Sequence, residues 1–341
     1  MTRIGIDLGG TATKAGLFTE DGTLLDKTEF PTLREGGRAA LLSDIADHVR
    51  ALAKRNGIPL ADCAAAIGIP GPVAEDGYTE AIPNLGFRDC RPGRELSDIL
   101  GIPVRVLNDA NAAALGEAWK GAGRGAGSMI CVTLGTGVGA GIVIGGSVVG
   151  GSHGLGGEIG HILINPDETE PCGCGAVGCL DQVSSANGVA RYAKKFLAEG
   201  LPAAFETVSA DVSVGEAPSP GPAPISVLAS LPAITAKDVC DAAKAGDPLA
   251  LGTLRYCMSF LGKALCIIGY TVDPAVCVIG GGLSKAGPFL LDVIRDAYTD
   301  LPKLTSKRMD LRLAELGNDA GITGAAFYAA GQNNIGPASG K

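Results

Sequence analysis

Residues 4–17 read IGIDLGGTATKAGL, and residues 130–143, which lie 126 positions further along the chain, read ICVTLGTGVGAGIV. In both copies an apolar run is followed by a turn of Gly and Thr and then by a second apolar run, which is the pattern of a β-hairpin. Leu8 aligns with Leu134 in this comparison. The repeat predicts two related domains that face each other across a cleft. The alternative is coincidence in a glycine-rich chain.

Strand and helix signals alternate along much of the remaining chain. Apolar residues recur with helical spacing over residues 38–55, and an alanine-rich helix is predicted from Asp109 to Lys120. Further predicted elements are strands at 64–69, 104–107 and 275–279 and a helix at 288–298. This alternation is typical of an α/β protein whose sheets are covered by helices.

The composition is that of an acidic, glycine-rich globular protein. Of the 341 residues 46% are hydrophobic and 19% are charged, which is enough apolar material for two domains with packed cores. The net charge of −8 and the aromatic content of 4% argue against a nucleic-acid surface. Residues 125–157 contain no Asp, Glu, Lys or Arg, but 13 of these 33 residues are Gly. They therefore predict strands and turns and not a membrane span.

The first residues show no charged segment followed by a long apolar one, which would indicate a secretory signal. We therefore expect a cytoplasmic protein whose ten cysteines are reduced. Neither a membrane nor a nucleic acid is expected among its partners.

Two glycine turns offer surfaces suited to phosphate groups. Asp7–Thr11 and Leu134–Gly139 present backbone N–H groups and Thr hydroxyls, without side chains that would keep an anion away. Residues 135–140 fit the pattern GxGxxA, but a dinucleotide fingerprint must begin a helix, and here a strand-like run follows. The two turns predict a nucleotide phosphate chain held between two hairpins. Two plain hairpins are the alternative.

A compact group of cysteines predicts a metal centre. His161 is followed by Cys172, Cys174 and Cys179. Three thiolates and one imidazole form the Cys₃His set that binds a structural Zn²⁺ tetrahedrally and leaves no position open for a reactive water. A redox dithiol and a chance cluster are the alternatives.

Carboxylates lie on both sides of this group in the sequence. Glu158 precedes His161 by three residues, and Asp181 follows Cys179 by two. A metal bound there would hold the two carboxylates close together, which suits binding to vicinal hydroxyl groups.

Asn108 and Asp109 lie where the predicted strand 104–107 ends and a helix begins. Catalytic groups are often found at such strand ends in α/β proteins. The alternative is that Asp109 is merely the N-cap of the helix.

Taken together, these residues resemble the ROK family of sugar kinases and repressors, and within it the bacterial glucokinases. The resemblance runs from about residue 3 to residue 330, with 201–232 as the poorly matching stretch. The combination of Glu-x-x-His with Cys-x-Cys-x₄-Cys is specific to the family. The matching motifs are DLGGT at 7–11, GIPGP at 68–72, IPNL at 82–85, NDAN at 108–111, LGTGVG at 134–139, EIGH at 158–161, CGCG at 172–175, GC at 178–179 and IGGG at 279–282.

The resemblance implies an actin-like ATPase (ribonuclease H-like) fold with two domains around a cleft. Residues 1–117 would form the N-terminal α/β domain, completed by a C-terminal helix near 319–332. Residues 118–318 would form the larger α/β domain, with a zinc knuckle at 161–179 and a Pro-rich excursion at 201–232. Family members commonly form homodimers or homotetramers, and we expect the same here.

By the same resemblance the chain would phosphorylate a hexose at its C6 hydroxyl with ATP and Mg²⁺, and glucose is the expected substrate. Asp109 would be the general base that takes the hydroxyl proton during attack on the γ-phosphate, and Asp7 would orient hydrated Mg²⁺. The hexose would be held by Asn84, Asn108, Asp109, Glu158, His161 and Asp181, the phosphates by Gly9, Gly10, Thr11, Thr136 and Gly137, and the adenosine by Gly281 and Gly282.

Asp181 departs from the family, which usually has Glu at this position, one methylene longer. The shorter side chain leaves the preference at C2 of the sugar open, so N-acetylglucosamine and N-acetylmannosamine kinases remain alternatives. A repressor would need a DNA-binding helix-turn-helix ahead of the first motif, which begins at residue 4. The third hypothesis is a non-catalytic sugar-binding protein, although Asp109 and both turns are intact. Whether polyphosphate replaces ATP stays open.

Overall fold

The computed structural model describes residues 1–82, 85–205, 226–299, 304 and 308–331 of the chain. Most of the predicted Pro-rich excursion, residues 206–225, lies outside the described residues. The strands are β1 (Thr2–Leu8), β2 (Ala12–Phe18), β3 (Leu24–Pro31), β4 (Cys63–Ile69), β5 (Thr79–Ile82), β6 (Phe87–Cys90), β7 (Val104–Asn108), β8 (Ser128–Leu134), β9 (Val138–Ile144), β10 (Ser147–Val148), β11 (Val276–Gly280) and β12 (Asp310–Leu313). The helices are α1 (Gly37–Arg55), α2 (Pro92–Leu100), α3 (Asp109–Lys120), α4 (Leu180–Ser184), α5 (Ala186–Glu199), α6 (Ala236–Lys244), α7 (Pro248–Thr271), α8 (Pro288–Thr299) and α9 (Ala320–Ala329).

Two five-stranded sheets share one topology. Their strand orders are β3-β2-β1-β4-β7 and β10-β9-β8-β11-β12. In each sheet the first three strands in chain order form antiparallel pairs. The fourth strand pairs parallel with the first, and the fifth pairs parallel with the fourth. The strands β1 and β2 correspond to β8 and β9 at the offset of 126 residues seen in the sequence. The predicted relation between the two hairpins is therefore confirmed.

Layers of helices cover the sheets, as the α/β class predicts. In β8, Ile130 and Val132 face a core formed with α5 to α8, whereas Met129 and Cys131 face α3 and α9. This alternation follows from the two-residue period of a strand. Because both faces of β4 are covered, every residue of Cys63–Ile69 is buried and the strand reads as one apolar run. The helices α3 and α9 thus form a middle layer between the two sheets.

The described structure confirms the predicted helices at 38–55, 109–120 and 288–298, and the strands at 64–69, 104–107 and 275–279, within one or two residues. The predicted C-terminal helix is α9, which packs against β1 and β4 of the first sheet. The split into domains at residues 117 and 118 stays a prediction.

The long helix α7 was not predicted from the sequence. It is apolar on most of its surface, so it gives no clear helical period. Among the described helices it is also the one long and apolar enough to cross a membrane. In the fold it is mostly buried and packs against α5, α6 and α8, which is the position of a core helix.

The helices α3 and α9 cross where each of them has a glycine residue, Gly116 in α3 and Gly324 in α9. A Cβ atom added to Gly116 would lie 2.3 Å from the carbonyl oxygen of Ala320, and one added to Gly324 would lie 1.7 Å from that of Ala112. These distances are shorter than any van der Waals contact, so the two backbones can meet only because both residues lack a side chain. The crossing places the N-terminus of α9 beside the end of β1.

We predict that Gly324→Ala destabilises the fold by about 1–3 kcal/mol, because the added methyl group would push the two helices apart. Urea unfolding of the variant and the wild type would measure this difference. The matched control is Gly127→Ala, where an added Cβ meets no atom within 4 Å. Equal unfolding midpoints for the two variants would contradict the prediction.

Candidate active site

A cleft of about 450 Å³ lies between the two sheets. The first sheet and α3 contribute Asp7, Lys14 and Asp109, and the second half of the chain contributes Gly137 and Asp181. The structure therefore brings together residues that lie far apart in the sequence, such as Asp7 and Asp181. We call this cavity the central cleft.

Asp7 lies near the end of β1, at the floor of the central cleft. Burial raises the pKa of its carboxyl, and the charge of Lys14, its cross-strand partner in β2, opposes this rise. A Cβ added to Gly321 of α9 would lie 2.6 Å from Oδ2 of Asp7, so a larger residue there would displace the carboxylate. The α3–α9 crossing thus also fixes the surroundings of Asp7.

The first glycine turn joins β1 to β2. Its shape is held by a hydrogen bond from the N–H of Gly9 to the carbonyl of Ala12 (3.1 Å). Thr32 Oγ1 donates to the carbonyl of Gly9 (2.7 Å), and the Arg34 guanidinium donates to that of Gly10. The side chain of Thr11 is exposed at the tip of the turn.

The second turn joins β8 to β9. Here the N–H of Gly135 donates to the carbonyl of Gly137 (2.9 Å), and Thr136 is exposed at the tip. Each turn therefore presents one exposed hydroxyl group, and the two Thr positions differ by one residue at the repeat offset of 126.

Asn108, and not Asp109, is the N-cap of α3. Its Oδ1 accepts the N–H of Asn111 (3.0 Å), and its Nδ2 donates to the carbonyl of Gly71 (3.1 Å). Because Asn108 performs the capping, the interpretation of Asp109 as the N-cap is wrong. Asp109 is the first residue of the helix and lines the central cleft.

The carboxyl group of Asp109 has a raised pKa. Burial is the larger cause, the charge of Asp7 adds to it, and Glu158 contributes less, so that the pKa rises to about 6. The N–H of Ala110 donates to Oδ1 (2.8 Å) and opposes the shift. A carboxylate with a pKa close to neutral is well suited to accept a proton in catalysis.

Asp181 lies in the first turn of α4 and reaches the second glycine turn. Its Oδ1 accepts the N–H of Val138 (2.6 Å), and a Cβ added to Gly137 would lie 2.5 Å from that oxygen. This contact between the cysteine-rich segment and the turn was not predicted from the sequence.

The four predicted metal ligands converge. One ligand atom from each of His161, Cys172, Cys174 and Cys179 lies within 4.8 Å of the others. The Sγ atom of Cys172 is 3.8 Å from Nδ1 of His161, and those of Cys174 and Cys179 are 3.6 Å apart. Tetrahedral Zn²⁺ with Zn–S bonds of about 2.3 Å places its sulfur ligands about 3.8 Å apart, so the arrangement fits this metal.

Glu158 lies immediately before the 3₁₀ turn Ile159–His161, which carries the histidine. Burial raises the pKa of its carboxyl, and the neighbouring His161 lowers it. Asn84 lies outside the described residues.

Gly281 and Gly282 follow β11, on the second-sheet side of the central cleft. Gly281 has φ +83°, and an added Cβ would lie 2.5 Å from the backbone of Leu134, so glycine is required there. Gly282 borders a second cavity of about 330 Å³ between α6 and residues 283–286. Lys237 and Lys285 are among the residues that line it.

Lys14 is a candidate site residue that the sequence analysis did not single out. Among the described residues that line the central cleft it is the one cation, beside the carboxylates Asp7, Asp109, Glu117 and Asp181. The signal was present in the hairpin pattern, because pairing around the glycine turn sets Lys14 opposite Asp7.

Comparisons with known proteins identify relatives that match along nearly the whole chain. A glucokinase of Halalkalibacterium halodurans is 38% identical over 97% of this chain and 96% of its own. A glucokinase of Thermotoga maritima is 34% identical over 95% of each chain. The crystal structure of a ROK family glucokinase from Streptomyces griseus in complex with glucose and AMPPNP matches with a TM-score of 0.76 and 31% identity, over 97% of this chain and 100% of that one.

The family model described as ROK family matches residues 3–332, nearly the whole chain. The neighbouring glucokinase structure shares the fold throughout, which confirms the predicted fold class. This chain belongs to the ROK family.

Proposed function

We propose that the protein transfers the γ-phosphoryl group of ATP to the C6 hydroxyl of a hexose, with glucose as the preferred substrate. The observation that carries this proposal is the partly buried Asp109, with a pKa of about 6, in a cleft between two glycine turns. The similarity to glucokinases along nearly the whole chain supports it, as does the neighbouring structure with glucose and AMPPNP.

In the proposed reaction Asp109 accepts the proton of the C6 hydroxyl as the oxygen of that hydroxyl attacks the γ-phosphorus atom. The new O–P bond forms while the bond to the β–γ bridging oxygen breaks, and ADP leaves with that oxygen. Catalysis of this kind depends on alignment of the hydroxyl and on neutralisation of the phosphate charge.

The phosphate chain would lie between the two glycine turns. Gly9, Gly10 and Thr11 would donate from the first turn, and Thr136 and Gly137 from the second. Asp7 fits the role of holding hydrated Mg²⁺, because its carboxylate lies at the floor of the cleft. Mg²⁺ when bound would offset phosphate charge there. Lys14 would add a positive charge on the same side.

The hexose would lie between the start of α3 and the cysteine-rich segment. Asn108, Glu158, His161 and Asp181 would bind its hydroxyl groups, together with Asn84. In this arrangement Nδ1 of His161 faces the thiols, which leaves Nε2 for the sugar. Because Oδ1 of Asp181 already accepts a backbone N–H, Oδ2 would be its contact with the sugar.

The adenosine would lie beside Gly281 and Gly282, next to the second cavity. The structural Zn²⁺ would be held by His161, Cys172, Cys174 and Cys179. We also propose a cytoplasmic location and, on the family resemblance, a homodimer or homotetramer.

We predict that Asp109→Asn lowers kcat by about 10²–10⁴-fold, because the amide cannot accept the hydroxyl proton. ADP release would be measured with ATP and Mg²⁺ against glucose, mannose, N-acetylglucosamine, N-acetylmannosamine and fructose. Preference for another hexose would replace glucose in the proposal. Turnover within tenfold of the wild type in this variant would rule out Asp109 as the base.

We predict that kcat/KM for the hexose falls about tenfold per pH unit below pH 6, because the raised pKa of Asp109 leaves the base protonated there. Above about pH 7 the carboxylate is ionised and this dependence disappears. Initial rates at saturating ATP from pH 5 to pH 8 would measure it. A flat profile down to pH 5 would contradict the prediction.

We predict one equivalent of zinc per chain in the purified protein and markedly less in Cys174→Ser, since a serine hydroxyl is a poor zinc ligand. Elemental analysis by mass spectrometry would measure the content. The control is Cys266→Ser, a half-buried thiol of α7 outside the cluster. A folded, metal-free wild-type protein would refute the zinc site.

A further inference from the structure

Glu117 of α3 is a fully buried carboxylate with hydrogen bonds to both oxygens. Its Oε2 accepts the N–H groups of Ala122 (2.9 Å) and Glu315 (3.2 Å), and its Oε1 accepts that of Leu316 (2.8 Å). Burying a charge is unfavourable unless hydrogen bonds compensate it, and charge-assisted bonds are the strong ones. Three such bonds from backbone groups mean that the position of this carboxylate is fixed.

The three donors belong to two different connections between the sheets. Residues 121–127 lead from α3 to β8, where the second sheet begins. Residues 314–319 lead from β12, the last strand of that sheet, to α9, which packs on the first sheet. Glu117 therefore binds, at one point, both the connection that leads to the second sheet and the connection that leads back from it.

Two further features support this junction. A Cβ added to Gly121 would lie 2.0 Å from Oε2 of Glu117, so the first connection must begin with glycine for the carboxylate to fit. The guanidinium of Arg312, in β12, donates to the carbonyl of Ala122 (2.8 Å), which binds the first connection to the strand that precedes the second.

Glu117 also lies on the same face of α3 as Asp109, two helical turns further on. Both line the central cleft. A rigid helix thus carries the proposed base at its first residue and the junction near its last turn.

We infer that Glu117 is a positioning residue, whose carboxylate makes the two connections a single pivot for closure of the cleft over ATP and hexose. This inference rests on the proposed function. With one pivot the second glycine turn approaches Asp109 along a defined path. With two loose connections the cleft would close without that alignment, and water would compete with the hexose as phosphoryl acceptor.

The test is Glu117→Gln, compared with Glu95→Gln as the matched control. Glutamine offers one oxygen, and its NH₂ group would face either the N–H of Leu316 or those of Ala122 and Glu315, so the junction loses one or two of its three hydrogen bonds. Glu95 of α2 is half-buried and pairs with Arg38 away from the cleft. Gly121→Ala is a second variant, because it displaces the carboxylate and leaves its charge unchanged.

Two readouts separate a pivot from a merely structural role. The first is the molar ratio of hexose 6-phosphate formed to ADP released, together with kcat and KM for the hexose. The second is the change in fluorescence of Trp119 when hexose and AMPPNP bind. Trp119 is the only tryptophan of the chain, two residues after Glu117, and its ring lies 5.2 Å from that of Phe327 in α9.

For Glu117→Gln and Gly121→Ala we expect kcat at least tenfold lower, a product ratio clearly below one and loss of most of the Trp119 response. Glu95→Gln should match the wild type in all three. If Glu117→Gln does not fold, Gly121→Ala decides alone.

Wild-type turnover distinguishes the two ways in which the idea can fail. A wild type that phosphorylates no hexose overturns the proposed function, and the inference with it. An active wild type whose Glu117→Gln variant has the same kcat, product ratio and Trp119 response overturns the pivot alone.

Discussion

The contact on which the rest of the structure depends is the crossing of α3 and α9. At Gly116 and Gly324 each helix backbone touches the other, so the middle layer between the sheets is as thin as two helices allow. Because α3 begins with Asp109 and α9 begins beside Asp7, the crossing also sets the relation between these two carboxylates. Burial raises the pKa of Asp109 most, and the crossing adds to the rise, since the nearby charge of Asp7 disfavours a second negative charge.

Glycine serves a second purpose at the cleft. At Gly137 and Gly321 the missing Cβ leaves room for a carboxylate oxygen of Asp181 and of Asp7. The high glycine content of the chain is thus partly explained by acids that approach a backbone closely. A cleft lined by carboxylates suits a nucleotide that binds together with divalent metal ions, because the ions would screen these carboxylates from the phosphate groups of the nucleotide.

Local patterns predicted much of this fold, because hairpins and amphipathic helices are encoded within short windows. The two glycine turns, α1 and α3 follow from apolar spacing and turn residues, and the four candidate metal ligands follow from the spacing of Cys and His. The uniformly apolar α7 gave no period to detect. Contacts between distant segments could not be predicted, such as Asp181 with Val138, or Glu117 with residues 315 and 316. Their partners are backbone N–H groups, which carry no signature in the sequence.

The contact between α3 and α9 is also symmetric, because the glycine of each helix packs against an alanine of the other. Gly116 meets Ala320 and Gly324 meets Ala112, so each helix offers the other an Ala-x₃-Gly pair. Such a self-complementary contact is what a twofold dimer makes between identical subunits, and here it lies within one chain. Two halves of one chain can differ in sequence, whereas two identical subunits cannot. When Ala112 is matched with Ala320 and Gly116 with Gly324, Asp109 corresponds to Gly317, which also lines the central cleft. One half has an acid at this position and its counterpart has a glycine, so the two similar halves line the cleft asymmetrically.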